Sequence, residues 1–356
     1  MSVKNKTRDS ATKAQNDKRD AQNDKRDAPK LPVEKRLSVF GELSALHKSI
    51  LRSLLISKAA RKQSAETLTD RFAADISAKA KERLERFLGD LIQTIMSAAE
   101  QTDSADVLTI GEAIADGFSY NLASIALFDL YRRARDESKQ NEVKKADYGA
   151  SGASFGARDA ANLAALERQF FWLKTSADER TREKIKEVLR SVFEPRDGQP
   201  PLAYNEIGAA LRAKFGELAN AEPSRLQSAG FTLARQNVNI AHAAQMIDDD
   251  VPFARVHADM DAKTTPICRS LHGRLIPMAH IKAQLDKITA ANSIGATIAA
   301  RDMSKTAPIY GELPANIGIP PYHFNCRTTI LAHYGATSFE ALSGARSPLE
   351  VLSEYR

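Results

Sequence analysis

Between Leu68 and Ile95 an apolar side chain recurs every three or four residues: Leu68, Phe72, Ile76, Ala80, Leu84, Phe87, Leu91 and Ile95. A strand alternates with period two, so only an α-helix brings these positions onto one face. The stripe predicts a single amphipathic helix of about 35 residues, and its apolar side has to be covered by other helices. Leu37, Phe40, Leu43, Leu46, Ile50 and Leu54 predict another helix before it. Thr109 and Glu112 have capping-box spacing, which predicts a third helix through Ile114, Phe118, Leu122, Ile125 and Leu130. A helical domain is therefore expected over residues 37–146. Its stripes carry no polar constellation, so packing is their role.

Residues 147–157, DYGASGASFGA, read as a linker, because Gly, Ser and Ala offer little to pack. The stretch lacks the Lys-Ser/Thr ending of a phosphate-cradling loop, and no strand signal precedes it. Helix returns over 158–250. Leu163, Leu166, Phe170 and Leu173 form one stripe, and Ile185, Leu189 and Val192 form the next, with the polar run Thr175–Glu179 between them. A turn over 194–204 precedes a short helix capped by Asn205 and carrying Ile207, Leu211 and Phe215. A loop around Ala219–Pro223 then leads into a helix from Ser224 to Met246. After Ile247 the texture changes. FARVHAD (253–259) alternates as a strand does, and GRLIP (273–277) and TTILAHY (328–334) are further candidate strands. A short helix is expected over 279–290, and 300–321 is irregular, with Pro308, Pro314, Pro320 and Pro321. The expected fold class is α+β: a mainly helical N-terminal two-thirds, a small α+β module with a few short strands over 251–335, and a tail over 336–356.

The net charge of +6 points to a nucleic-acid binder until it is located. Of the 51 basic and 45 acidic residues, eleven and six fall within 1–36, which leaves a nearly neutral body with 40 and 39. The basic character belongs to an arm holding a tandem repeat, AQNDKRD, at 14–20 and 21–27. Its period of seven invites a coiled-coil reading, but no position is strongly apolar, so there is no seam to bury. A solvated, disordered arm is expected, able to attract nucleic acid only through salt-dependent contact with phosphates. No run of eighteen apolar residues is present, so no membrane span is expected. The opening MSVKNKTRDS has no apolar run after its basic residues, so no Sec-type signal peptide is expected either.

Five of the seven histidines and both cysteines lie between residues 257 and 333. The sharpest pairs are Cys268-x3-His272 and His323-x2-Cys326. Two local pairs some fifty residues apart follow the general plan of a zinc site, in which a tetrahedral ion joins two turns. Cys268, His272, His323 and Cys326 are the candidate ligands, with His257, Asp259 and Asp261 nearby. The same residues also fit a packed, hydrogen-bonded motif or a Cys268–Cys326 disulfide. A metal-dependent hydrolase or nuclease, with His323 as base and an ion on Asp259 and Asp261, is the enzymatic alternative.

Two runs in this region carry a resemblance. The first is Asp261-Ala-Lys-Thr-Thr265-Pro-Ile-Cys268-Arg-Ser-Leu-His272-Gly273, and the second is Pro320-Pro321-Tyr-His323-Phe-Asn325-Cys326-Arg327. Together with the preceding Leu233-Ala-Arg235-Gln-Asn-Val-Asn239, they resemble the phage Mu F-like head morphogenesis (minor head protein) family over about residues 160–335. The chain departs from the family pattern twice. Thr264-Thr265-Pro266 stands where members often carry an additional cysteine, and Thr328 follows Cys326-Arg327 where they often have another. The resemblance implies a minor head protein of a tailed phage or prophage, without catalytic residues. Such a protein binds the portal or inner capsid and resides in the virion head after assembly in the bacterial cytoplasm.

Overall fold

The computed structural model describes residues 65–124, 126–143, 155–194, 202–303 and 306–334. The chain divides into two units, Met1–Leu55 and Ile56–Arg356, and all described residues belong to the second. The expected arm at 1–36, the stripe Leu37–Leu54 and the tail 336–356 lie outside the described residues, as does most of the 147–157 linker.

Among the described residues, five helices form the helical part: α1 Ala65–Ala99, α2 Ser104–Asp116, α3 Ala126–Val143, α4 Ala157–Phe193 and α5 Tyr204–Asp248. The stripe that predicted α1 is its buried face, with Ile76, Ala80, Leu84, Leu91 and Ile95 at 5 % exposure or less. α5 is the axis of the assembly: α1, α3 and α4 all pack along it. The segments expected as separate domains over 37–146 and 158–250 therefore share one core among the described residues. The approach of α1 to α5 is close at Gly230, where a Cβ would sit 3.1 Å from Cδ1 of Ile76.

The helices differ from the sequence reading in four places, each for a physical reason. The expected third helix is two helices. Asp103, not Thr109, caps α2, its Oδ1 accepting from the amides of Ala105 and Asp106 at 3.0 Å each. Thr109 lies inside α2, and Glu112 pairs with Arg190 at 2.6 Å. The polar run Thr175–Glu179 does not interrupt α4: Ser176 and Glu179 lie on its exposed side, and the buried Asp178 finds partners within the protein. Asp178 accepts from Oγ of Ser119 at 2.7 Å and from the amide of Tyr120 at 2.9 Å, fastening the α2–α3 connection to α4. Finally, α5 runs unbroken for 45 residues through Pro223, where a loop is expected. Proline lacks the N–H that would bond to Ala219 and crowds that carbonyl, at a cost of about 3 kcal/mol in a free helix. Burial of the surrounding turns, including Leu218, Glu222 and Leu226, outweighs that cost. Helix α5 begins after Ala203, whose amide donates to Oε2 of Glu206 at 2.9 Å, and not at an Asn205 cap.

The last part is a three-stranded antiparallel sheet in the order β2-β1-β3, with β1 Phe253–His257, β2 Leu275–Pro277 and β3 Thr329–His333. All three strands lie within the segments expected. Ala254 pairs with Ile276 on one side and Ala332 on the other, and β1 alternates inward at Ala254 and Val256. The helices here are α6 Pro266–Leu271, α7 Met278–Ala290 and α8 Ile294–Ala300. Polar bonds hold this part to the helices: Thr289 Oγ1 donates to Oδ1 of Asn162 at 2.9 Å, and Arg168 donates to the Thr289 carbonyl at 2.8 Å. Buried Gln284 organises the irregular stretch by donating to the Asn316 carbonyl at 2.7 Å and accepting from the Ile319 amide at 2.8 Å. The fold is thus α+β, mainly helical, with a small C-terminal sheet.

Candidate functional site

The two sequence runs and the Arg235 helix converge. Four polar residues of α5, Thr232, Arg235, Asn239 and His242, follow helical spacing on one face. Each meets the second run or the strand that follows it. Thr232 Oγ1 accepts from the amide of Asn325 at 3.1 Å, and Arg235 donates to the Arg327 carbonyl. Asn239 donates to the Thr328 carbonyl at 3.2 Å and accepts from the Ile330 amide at 3.1 Å. Nδ1 of His242 lies 3.3 Å from Oγ1 of Thr329. Among these, Arg235 and Asn239 lie in the run that carries the resemblance, and Arg235 is its motif residue. The others were legible in principle as a polar stripe on an otherwise apolar helix face.

The first run folds as a turn, a short helix and a second turn. Asp261 Oδ1 accepts from the Lys263 amide at 2.9 Å, closing an Asx turn. Thr265 precedes α6 with Pro266 at its first position, and Cys268 and Leu271 are buried on the helix's inner side. Gly273 closes the element at φ 76°, a left-handed conformation that glycine adopts without steric penalty. In the second run the Pro320–Pro321 bond is cis, and Asn325 takes φ 58°, a region asparagine tolerates better than most residues. Arg327 joins the two runs: its Nη2 lies 2.7 Å from both carboxylate oxygens of Asp261. That contact, with the turn hydrogen bonds, holds the Asp261 carboxyl down to about 2.

Beneath this ion pair lie Cys268, Cys326 and His323. The two Sγ atoms are 3.6 Å apart, and both cysteines are free and buried. Nε2 of His323 is 3.2 Å from Sγ of Cys268 and 2.8 Å from Oγ1 of Thr265. On the other side of the ring, Nδ1 is 2.8 Å from the Phe324 carbonyl. A carbonyl only accepts, so Nδ1 carries a hydrogen and Nε2 is the atom that gains or loses a proton. Hydrogen bonding from the Cys268 thiol, helped by His323 and Thr328, holds the Cys326 thiol well below the usual cysteine range. Its hydrogen bond to Cys326, and then burial, push the Cys268 thiol up. Hydrogen bonding to the Cys326 sulfur in turn raises the His323 imidazole against the opposing effect of burial, with the sulfur's charge adding to the rise.

His272 does not join this group. Its Nδ1 accepts from the Ala258 amide at 3.1 Å, and its ring stacks obliquely with His257 at 5.5 Å between centroids. The expected four-ligand set is therefore corrected to three: Cys268, His323 and Cys326, with all ligand atoms within 4.8 Å of one another. Asp259 and Asp261 are outside it, turned instead towards Arg327. A cleft of about 710 Å³ opens beside the group, lined in part by Asp70 and Ala73 of α1, Ser228 and Phe231 of α5, and His323. A small cavity of about 20 Å³ touches Cys268 and His323 directly.

No protein-family model, curated protein or solved structure matches this chain. Among the described residues no helix is long and apolar enough to cross a membrane.

Proposed function

We propose that this chain is a minor head protein of a tailed phage or prophage, of the Mu F-like kind, acting in head morphogenesis by binding the portal or inner capsid. The observation that carries the reading is the junction of three segments far apart in sequence: the 320–327 run is bonded both to the Arg235 helix and to the 261–273 run. These are the segments that the resemblance groups together. A junction in which Arg327 pairs with Asp261, Arg235 donates to the Arg327 carbonyl and Asn325 bonds Thr232 and Ser228 supports an anchoring role, because those groups are engaged within the chain. The hydrolase alternative would need Asp259 and Asp261 free to hold an ion, whereas Arg327 engages both. A partnership of residues 1–36 with packaged DNA belongs to the same proposal, resting on the excess of basic residues there.

Fractionation of particles tests the reading. The protein is expected to co-purify with portal and procapsids and to remain in the mature head. Its absence from particles, together with normal head assembly after deletion of its gene, would refute the proposal. A gel shift of the full chain against one lacking residues 1–36 tests the DNA contact, which equal retardation by both would exclude.

A further inference from the structure

We propose that Cys268, Cys326 and His323 form a zinc site of two thiolates and one imidazole, with a water molecule in the fourth position. The inference is independent of the head-protein reading. Three observations carry it.

The first is spacing. Zinc bonds of about 2.3 Å to sulfur and about 2.0–2.1 Å to nitrogen, at tetrahedral angles, place two sulfurs about 3.8 Å apart and a sulfur and a nitrogen about 3.5 Å apart. The observed separations are 3.6 Å between the sulfurs and 3.2 Å from Cys268 to Nε2 of His323. Adjustments of a few tenths of an ångström bring both to the ideal values. The second observation is the orientation of the imidazole. Nδ1 is engaged by the Phe324 carbonyl at 2.8 Å, which leaves Nε2 without a hydrogen and facing Sγ of Cys268 at 3.2 Å and Oγ1 of Thr265 at 2.8 Å, a hydroxyl that the ion would displace. This is the outer contact that metal-bound histidines characteristically make. The third is the cavity of about 20 Å³ against Cys268 and His323, bordered by polar groups of Thr264, Thr265 and Asp259. A cavity above about 10–15 Å³ holds one water. Three protein ligands and one exchangeable position make an open centre.

The charge balances without a redox step. The metal-free site holds two protons, either on both thiols or on one thiol and the imidazole. Zinc binding releases both to solvent, so the site stays neutral while two sulfur bonds and one nitrogen bond form to the ion. Thiolate donors favour zinc over magnesium or calcium. The ligands come from the 261–273 and 320–327 runs, so the ion would cross-link the two elements that Arg327 already joins.

The test uses the reduced full chain titrated with cobalt(II), then zinc. One cobalt per chain is expected, with sulfur-to-cobalt charge-transfer absorption that zinc abolishes, and zinc is expected to raise the melting temperature. Cys326→Ser should weaken zinc binding by more than about 100-fold, beyond the 10–100-fold typical of losing an outer contact. His323→Ala should weaken it too, while His272→Ala should leave stoichiometry and spectrum unchanged. The proposal is overturned if the unmodified reduced chain shows no thiolate–cobalt absorption, a result independent of whether any variant folds. It is equally overturned if Cys326→Ser keeps the full spectrum, if His272→Ala abolishes binding, or if a Cys268–Cys326 disulfide persists under reductant.

Discussion

Replacing Asn239 by Leu tests whether the polar stripe of α5 docks the second run. Asn239 is fully buried and spans two elements: its Nδ2 donates to the Arg235 carbonyl at 2.9 Å and the Thr328 carbonyl at 3.2 Å, and its Oδ1 accepts from the Ile330 amide at 3.1 Å. Leucine keeps the branched heavy-atom skeleton of asparagine but puts two larger methyl groups where the oxygen and nitrogen stand, so the change removes polarity, leaves no cavity and adds some crowding. It strips the side-chain partners from a buried amide and a buried carbonyl, each costing about 1–3 kcal/mol when left unpaired. Return of the leucine's own burial energy offsets part of this. A net loss of about 2–4 kcal/mol is expected, a large share of the roughly 5–15 kcal/mol of a typical domain. Urea unfolding followed by circular dichroism measures the total. Amide exchange localises it, with faster exchange expected first in residues 325–333. A loss below about 1 kcal/mol, or unchanged protection of the Ile330 amide, would refute the reasoning.

Further outcomes follow from other contacts. Burial holds His242 down from 6.5 to about 4, so the unfolded chain binds the extra proton between those values, and stability falls as pH drops through that window by up to roughly 3 kcal/mol. Unfolding of His242→Gln at pH 7, 6, 5 and 4 should show a flatter dependence than the unmodified chain, and parallel curves would contradict it. Gly230→Val drives a branched side chain against Ile76 and should cost about 1–3 kcal/mol, read as a lowered urea midpoint at constant slope. Asp159 accepts from the Tyr131 hydroxyl at 2.7 Å and lies 3.2 Å from Arg135, both partners being buried, so Asp159→Ala should destabilise by about 3 kcal/mol. Thermal unfolding checks this, and a melting temperature equal to that of the unmodified chain would sink the idea.

How much of this was legible in the sequence varies from element to element. The α1 stripe and the alternation at 253–259 translate directly into a helix face and a strand, because solvent-facing and core-facing positions impose the period of the element itself. The polar run in α4 and the proline in α5 look like breaks in the sequence, yet both helices run through them. Local rules treat polar groups and proline as interruptions, whereas Asp178 is matched by Ser119 and Tyr120, and Pro223 is carried by a helix packed on several sides. The capping box at Thr109 was outcompeted by Asp103, whose side chain reaches the free amides that a helix start must satisfy.

At the site, the sequence alone determined which segments matter: the clustering of cysteine and histidine, and the 261–273 and 320–327 runs, are properties of the chain before it folds. Spacing could not decide which histidine belongs with the sulfurs. Cys268-x3-His272 and His323-x2-Cys326 look equivalent on paper. Only the tertiary structure separated them, because the turn at Gly273 directs His272 towards the Ala258 amide while the Phe324 carbonyl aims Nε2 of His323 at Cys268. A ligand set is a statement about directions in space. Those directions are set here by backbone groups from other segments, which no local pattern contains.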